Sequence, residues 1–197
     1  MSRSIERSLL TILLLALALL LPPPLQAEDD AKPVKVKAGD ITLTLPASWK
    51  SSKPTSRLRL AQFTVPAVGG DKEPAELVVY FFGGSGGGVD ANLQRWINQF
   101  QAKGRVVRTM EGMSKQGKYV LADVKGTYNK PIGPPVQRQT KLTPGSRMLA
   151  VVLHVEGKGN YFLKLTGSEK TITAVNKVLR TSFGASIDKE KDYKLKE

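Results

Sequence analysis

Two segments of the chain are apolar on both faces of a predicted β-strand, and this feature limits the fold most. Residues 75–82 and 148–155 are mostly apolar runs bounded by turn-forming residues. A strand of alternating polarity can leave one face in water, whereas a strand that is apolar on both faces has to be covered on each side. The chain must therefore place other elements on both faces of one sheet.

The rest of the pattern predicts further strands and two covering helices. Alternating polarity and turn residues predict strands at residues 34–37, 41–45, 57–65, 106–113, 118–128 and 161–166. Apolar residues at helical spacing predict one helix that Asp90 caps and that ends near Gly104, and a second helix that Ser168 caps. We therefore predict an α+β fold, a mostly antiparallel β-sheet sandwiched between helices.

Three short motifs resemble the PsbP-like family of extrinsic photosystem subunits and related exported bacterial proteins. They are Ile-Thr-Leu-Thr-Leu-Pro at residues 41–46 leading to Trp49, Tyr-Phe-Leu-Lys-Leu-Thr-Gly at 161–167, and Thr-Ser-Phe at 181–183. The resemblance covers residues 34–184 by the order of elements. It implies an antiparallel sheet between helices and an accessory, non-enzymatic role, and it carries over no functional residue.

The N-terminal sequence is typical of a secretory signal peptide. Arg3 and Arg7 precede an uncharged run whose strongly apolar part, residues 9–21, is shorter than the roughly 20 residues of a membrane-spanning helix. Three prolines and the small residue Ala27 follow, which predicts cleavage of residues 1–27. We expect an exported protein, periplasmic or extracellular, without a transmembrane anchor after cleavage.

The predicted mature chain is one domain. We expect a flexible N-terminus at residues 28–33, a single PsbP-like α+β domain at 34–184, and a disordered tail of alternating charge at 185–197. The chain has no cysteine, so disulfides, thiolate metal sites and thiol nucleophiles are excluded. A hydrophobic core alone must hold a domain of this length.

The chain is strongly basic, with a net charge of +13. Residues 41–70 and 124–155 contain no acidic residue, and such faces favour an anionic partner. Since an exported protein does not meet intracellular nucleic acid, we expect lipid headgroups, acidic polysaccharide or an acidic protein surface of the cell envelope. Charge that serves solubility alone is the open alternative.

Lys130, Arg138 and Lys141 are the candidate residues for binding an anion or a partner. They lie in residues 129–146, which we interpret as a proline-rich loop. A loop of that length is longer than a connection needs, which favours a role in binding.

A second hypothesis makes the protein a small serine hydrolase. Gly83 to Gly87 match G-x-S-x-G around Ser85, and Asp123 and His154 follow in the chain order of an α/β-hydrolase triad. However, a nucleophile elbow is a tight turn leading straight into a helix, whereas this segment is almost all glycine and we place the helix start at Asp90. The same glycines could cradle an anion, which a carboxylate at the helix start would oppose.

The sequence gives no pattern for a metal or a cofactor, and we expect neither. His154 is the single histidine and has only Glu156 near it in sequence, so a local hydrogen bond explains it better than a metal site. Asp71, Glu73 and Glu76 are explained by a solvated turn. We therefore expect an exported, non-catalytic binding or accessory protein of the cell envelope, with the Ser85 hydrolase as the alternative.

The signal peptide can be tested directly. Mass spectrometry of the protein from its native host should find a chain that begins at Glu28 or within a residue or two of it, because Ala27 is the small residue before the predicted cleavage site. An intact chain that retains Met1 in the membrane fraction would contradict the prediction.

Overall fold

The computed structural model describes residues 32–54, 56–83, 86–133, 135–137 and 139–196. The predicted signal peptide lies outside the described residues, and so do residues 28–31 of the predicted flexible N-terminus. Neither helix described below has the length and apolar character that a membrane span requires.

The core of the fold is an antiparallel sheet of eight strands in the order β10-β6-β7-β8-β9-β5-β4-β3, and β1 and β2 form a separate hairpin. The strands are β1 (Val34–Ala38), β2 (Ile41–Leu45), β3 (Lys50–Ser52), β4 (Arg59–Val65), β5 (Ala75–Phe81), β6 (Val106–Ser114), β7 (Gly117–Pro131), β8 (Thr140–Val155), β9 (Gly159–Ser168) and β10 (Lys191–Asp192). Among the described residues, the two helices are α1 (Val89–Ile97) and α2 (Glu169–Ser182), and short 3-10 turns lie at Pro135–Gln137 and Ile187–Lys189.

The sheet is covered on both faces, as the doubly apolar strands predicted. On the first face, α2 and the β1–β2 hairpin pack over Leu149, Val151 and Leu153 of β8. On the second face, α1 packs over Met148, Ala150 and Val152 of the same strand. The predicted α+β architecture, a mostly antiparallel sheet between helices, is therefore confirmed.

Local sequence signals explain several of the elements. The β1–β2 hairpin turns at Gly39, whose φ of 63° is left-handed and whose position lies against the Tyr161 ring. The Ser168 hydroxyl caps α2 by accepting a hydrogen bond from the Thr171 amide at 3.1 Å. The strands predicted at residues 106–113 and 118–128 pair as the β6–β7 hairpin, and those predicted at 148–155 and 161–166 pair as the β8–β9 hairpin.

The predicted cap of α1 was wrong. The N-cap is Gly88, and Asp90 lies inside the first turn. Its Oδ1 accepts hydrogen bonds from the Tyr193 hydroxyl at 2.9 Å and from the Lys196 amide at 3.2 Å. The carboxylate therefore binds the C-terminal segment, a contact between residues far apart in sequence that a local pattern does not contain.

The predicted proline-rich loop at residues 129–146 was also wrong. β7 continues to Pro131 and β8 begins at Thr140, so only residues 132–139 connect the two strands. Pro131 ends its strand, and Pro144 lies where the β7–β8 register shifts. At both places a strand tolerates the missing N–H of proline.

The tail at residues 185–197 is not disordered over its described part, which corrects a further prediction. β10 pairs with β6, and the Tyr193 amide donates to the Thr109 carbonyl at 2.9 Å. Tyr193 and Leu195 pack against the apolar cluster of the second face. Because charged residues alternate along the tail, its sequence pattern did not indicate that these two apolar residues pack on the sheet.

A buried ion pair fixes the start of this tail. The guanidinium of Arg180 on α2 pairs with the Glu190 carboxylate, and both side chains are more than nine-tenths buried. The Tyr119 hydroxyl donates to Glu190 at 2.7 Å. Burial, with the adjacent Glu190 carboxylate, raises the pKa of Tyr119, so the phenol stays a neutral donor.

Glu190→Ala should lower the free energy of unfolding by about 3 kcal/mol, because it leaves the Arg180 guanidinium buried without its partner. Urea denaturation measures the change. Asp188→Ala is the matched control, since Asp188 is exposed and forms no ion pair with another described residue. Equal stability of the Glu190 variant and the control would show that the tail is not held by this pair.

Candidate functional site

A groove of about 750 Å³ opens on the second face of the sheet, beside α1. Its floor is formed by β5 and β9, with Val78, Tyr80 and Lys164 facing it. One wall is the β7–β8 arm, our name for residues 128–143, which is the part of that hairpin beyond the register shift. The opposite wall is the segment between β4 and β5, residues 71–74. The volume lies within the range of small-molecule sites, roughly 300–1,000 Å³.

Lys164 is the central charged group of the floor. It alternates along β9 with Leu163 and Leu165, which point to the core of the first face. Its ammonium donates to the Gln99 side-chain carbonyl at 2.6 Å and to the Tyr128 hydroxyl at 3.1 Å. It also lies 5.3 Å from the centroid of the Tyr128 ring, a distance that suits a cation–π contact.

The electrostatic environment of Lys164 disfavours its charge. Burial lowers the pKa of this ammonium to about 8, while the carboxylate of Glu76 raises the pKa and the Arg59 guanidinium lowers it. None of the ion pairs between described residues includes Lys164. An ammonium that is removed from water without a counter-ion loses hydration that its neutral partners only partly replace.

Two phenols flank this lysine and stay protonated at neutral pH. Burial raises the pKa of Tyr128 to about 12, and burial also raises the pKa of Tyr80. The Arg59 guanidinium lies over the Tyr80 ring, 5.9 Å from its centroid. The Tyr128 hydroxyl donates to the Gln99 side-chain carbonyl at 3.5 Å, whereas the Tyr80 hydroxyl can donate a hydrogen bond to an oxygen placed in the groove.

The acidic residues along the groove each have a partner of their own. Asp71 accepts hydrogen bonds from Ser168 and Thr171, which lower its pKa. Glu73 binds Lys130 at 2.9 Å, and Glu76 binds Arg59 at 3.2 Å. The predicted solvated turn is therefore partly a set of tertiary contacts, and no carboxylate of this set is paired with Lys164.

The structure brings together two of the three predicted partner-binding residues. Lys130 and Lys141 are directly opposite each other in the β7–β8 arm, and Lys130 also lies on the wall of the groove. Arg138 lies outside the described residues. The role of these residues in binding stays a prediction.

The predicted hydrolase triad does not assemble. Asp123 is paired with Arg147 at 2.6 Å and lies on the face covered by α2, whereas His154 lies on the opposite face. Asp123 is opposite Leu149 in the β7–β8 register, so His154 is five residues, or about 16 Å, farther along the sheet. Ser85 lies outside the described residues, but no position of Ser85 could join these two side chains.

The local explanation of His154 is confirmed. Its Nδ1 forms a hydrogen bond of 2.9 Å with the Asn160 side chain on the neighbouring strand. In the part of the chain that the structure describes, no three histidine or acidic side chains come together as metal ligands.

Sequence reasoning missed Lys164, although its signal was present. Lys164 is the only charged residue of the predicted strand at 161–166. A single charge inside a strand of a sheet covered on both faces indicates a position where the covering layer is incomplete or where the charged group contacts a polar partner. Gln99 and Tyr128, the partners found, come from elements that are distant in sequence.

Comparison with solved structures finds chains of similar fold. The solution structure of the cyanobacterial PsbP (CyanoP) from Synechocystis sp. PCC 6803 is similar to this chain, with a TM-score of 0.46 and 13% sequence identity. The similarity covers 83% of this chain and 94% of that chain. No protein-family model and no curated protein matches the sequence.

Proposed function

We propose that this chain is an exported, non-catalytic binding protein whose β7–β8 arm docks on an anionic lipid surface of the cell envelope. The observation that carries the proposal is the pair of lysines, Lys130 and Lys141, directly opposite each other in an arm without acidic residues. Like charges at directly opposed positions of two strands disfavour the folded hairpin. An external anion would relieve that repulsion.

Exposed apolar side chains favour lipid over a polysaccharide. Ile132, Val136 and Leu142 of the arm are 42%, 85% and 58% exposed. Neighbouring apolar and basic side chains are the combination that binds an anionic membrane interface, since the apolar groups enter the headgroup region while lysines meet the phosphates. A sugar polymer would offer little apolar surface for these residues to contact.

Glu73 modulates the charge of the arm. Its carboxylate binds the Lys130 ammonium, and this hydrogen bond, with the charges of Lys130 and Lys141, lowers the pKa of Glu73. Both side chains of the pair are at least half exposed, so the pair is screened by water and exchanges easily. Lys130 can therefore leave Glu73 for a lipid phosphate.

The non-catalytic part of the proposal is supported by how the triad candidates are used. Asp123 is bound by Arg147, which also donates to Thr173 of α2. His154 is bound to Asn160 on the other face. Both side chains thus have structural partners, and neither is left to activate a nucleophile.

Vesicle binding tests the proposed docking. The double variant Lys130→Gln, Lys141→Gln should bind phosphatidylglycerol-containing vesicles roughly 30-fold more weakly than the wild type, at about 1 kcal/mol per lysine. Glu73→Gln should bind more tightly than the wild type, because it frees Lys130. Co-sedimentation at low salt measures both changes, and salt near 1 M should weaken wild-type binding because the Debye length falls to about 3 Å.

Lys103→Gln, Lys177→Gln is the matched control, since it removes the same charge from exposed lysines outside the arm and the groove. Equal binding by the two double variants would mean that the charge of the arm serves solubility and not docking. Retention on acidic polysaccharide but not on vesicles would contradict the lipid surface.

A further inference from the structure

The proposed docking of the arm assigns no function to the groove beside it. The groove is built by five separate parts of the chain: residues 71–74, β5, β9, Gln99 after α1, and the arm. We propose that it is a binding site for a small organic anion, a carboxylate with a ring or short alkyl body, which the Lys164 ammonium and the Tyr80 hydroxyl hold. This site does not depend on the proposed lipid docking.

The position of the ammonium is fixed before any ligand arrives. Gln99 follows α1 and is tied to β7, because its carbonyl accepts a hydrogen bond of 2.8 Å from the Asn129 amide. Its side chain and the Tyr128 hydroxyl take two donors of the Lys164 ammonium. An ammonium has three donors, and the third is available to a ligand in the groove.

The choice of an anion follows from the balance of charge. Lys164 lies on the floor of the groove and forms no ion pair with another described residue, while Arg59 and Lys130 each bind a carboxylate of the chain. Lys72 is exposed at the rim. A ligand carboxylate would supply the counter-ion that Lys164 lacks.

The organic body follows from the surroundings of that lysine. Val78 lies directly opposite Lys164 in the β5–β9 register, and Tyr80 is two residues along β5. Pro74 and Pro131 border the opposite walls. These side chains offer apolar contact to a ring or alkyl group, while a volume of about 750 Å³ exceeds what an inorganic anion fills.

The pH dependence of binding has a definite sign. The carboxylate binds the charged form of Lys164, whose pKa is about 8. Affinity should be constant below that value and fall roughly tenfold for each pH unit above it. Tyr80 and Tyr128 keep their protons over this range, since both pKa values are raised. The pKa values of Asp71 and Glu73 are lowered, and Glu76 and Arg59 are the other charged groups near Lys164, so we assign the transition to Lys164.

The test compares naphthoate with its neutral amide, naphthamide, on the purified protein without vesicles. Calorimetry near pH 7 should find naphthoate bound at least roughly tenfold more tightly than naphthamide. The preference should disappear near pH 9.5, where Lys164 is largely neutral. Amide resonances of Val78, Tyr80 and Lys164 should shift on titration. These wild-type measurements need no variant to fold.

Lys164→Met removes the charge and keeps the length of the side chain, and Lys103→Met is the matched control outside the groove. The first variant should lose the preference for naphthoate and its pH dependence, and the control should keep both. The proposal is overturned if naphthoate fails to bind at roughly 1 mM, if naphthamide binds equally well, or if the shifts map elsewhere. Full naphthoate affinity in a folded Lys164→Met variant would overturn it as well.

Discussion

Burial of β8 on both faces is the constraint on which the rest of the structure depends. From Met148 to Leu153 every side chain of this strand is enclosed, and alternate residues belong to two separate apolar clusters. Such a strand cannot lie at an edge or against water, so it requires a neighbour on each side and a layer above and below. Strands β7 and β9 supply the neighbours, and the two helices, with the β1–β2 hairpin, supply the layers.

The groove arises where this cover ends. α1 is only nine residues long and packs on β7 and β8 and, through Trp96, on Phe162 of β9, so the second face of β5 and β9 beyond Phe162 is not closed by it. Lys164 and Tyr80 occupy that area in place of aliphatic residues. The short helix therefore determines both the core over β8 and the polar floor beside it.

Local sequence signals were sufficient to predict the layers of the fold and the start of α2. The double apolar character of residues 148–155 predicted the layers, and Ser168 predicted the start of α2. The predictions of an Asp90 cap and of a disordered tail were wrong because both features depend on pairs of residues that are distant in sequence. These pairs are Tyr193 with Asp90, and Arg180 with Glu190. Lys130 and Lys141 were selected for their charge alone, whereas their opposed register depends on a strand pairing that the prolines obscured. The role of Lys164 could be recognised only from the fold, because its partners lie just after α1 and on β7.

The edges of the sheet bear on how the protein behaves at high concentration. An open edge strand offers unpaired N–H and C=O groups to any other extended chain, and long open edges lead to polymerisation. Here the outermost strands are β10 and β3, of two and three residues. Ribbons this short present too few groups to register stably with another copy. Continuation of the eight-stranded sheet through these two end strands is therefore disfavoured, and association at its ends is left to side chains.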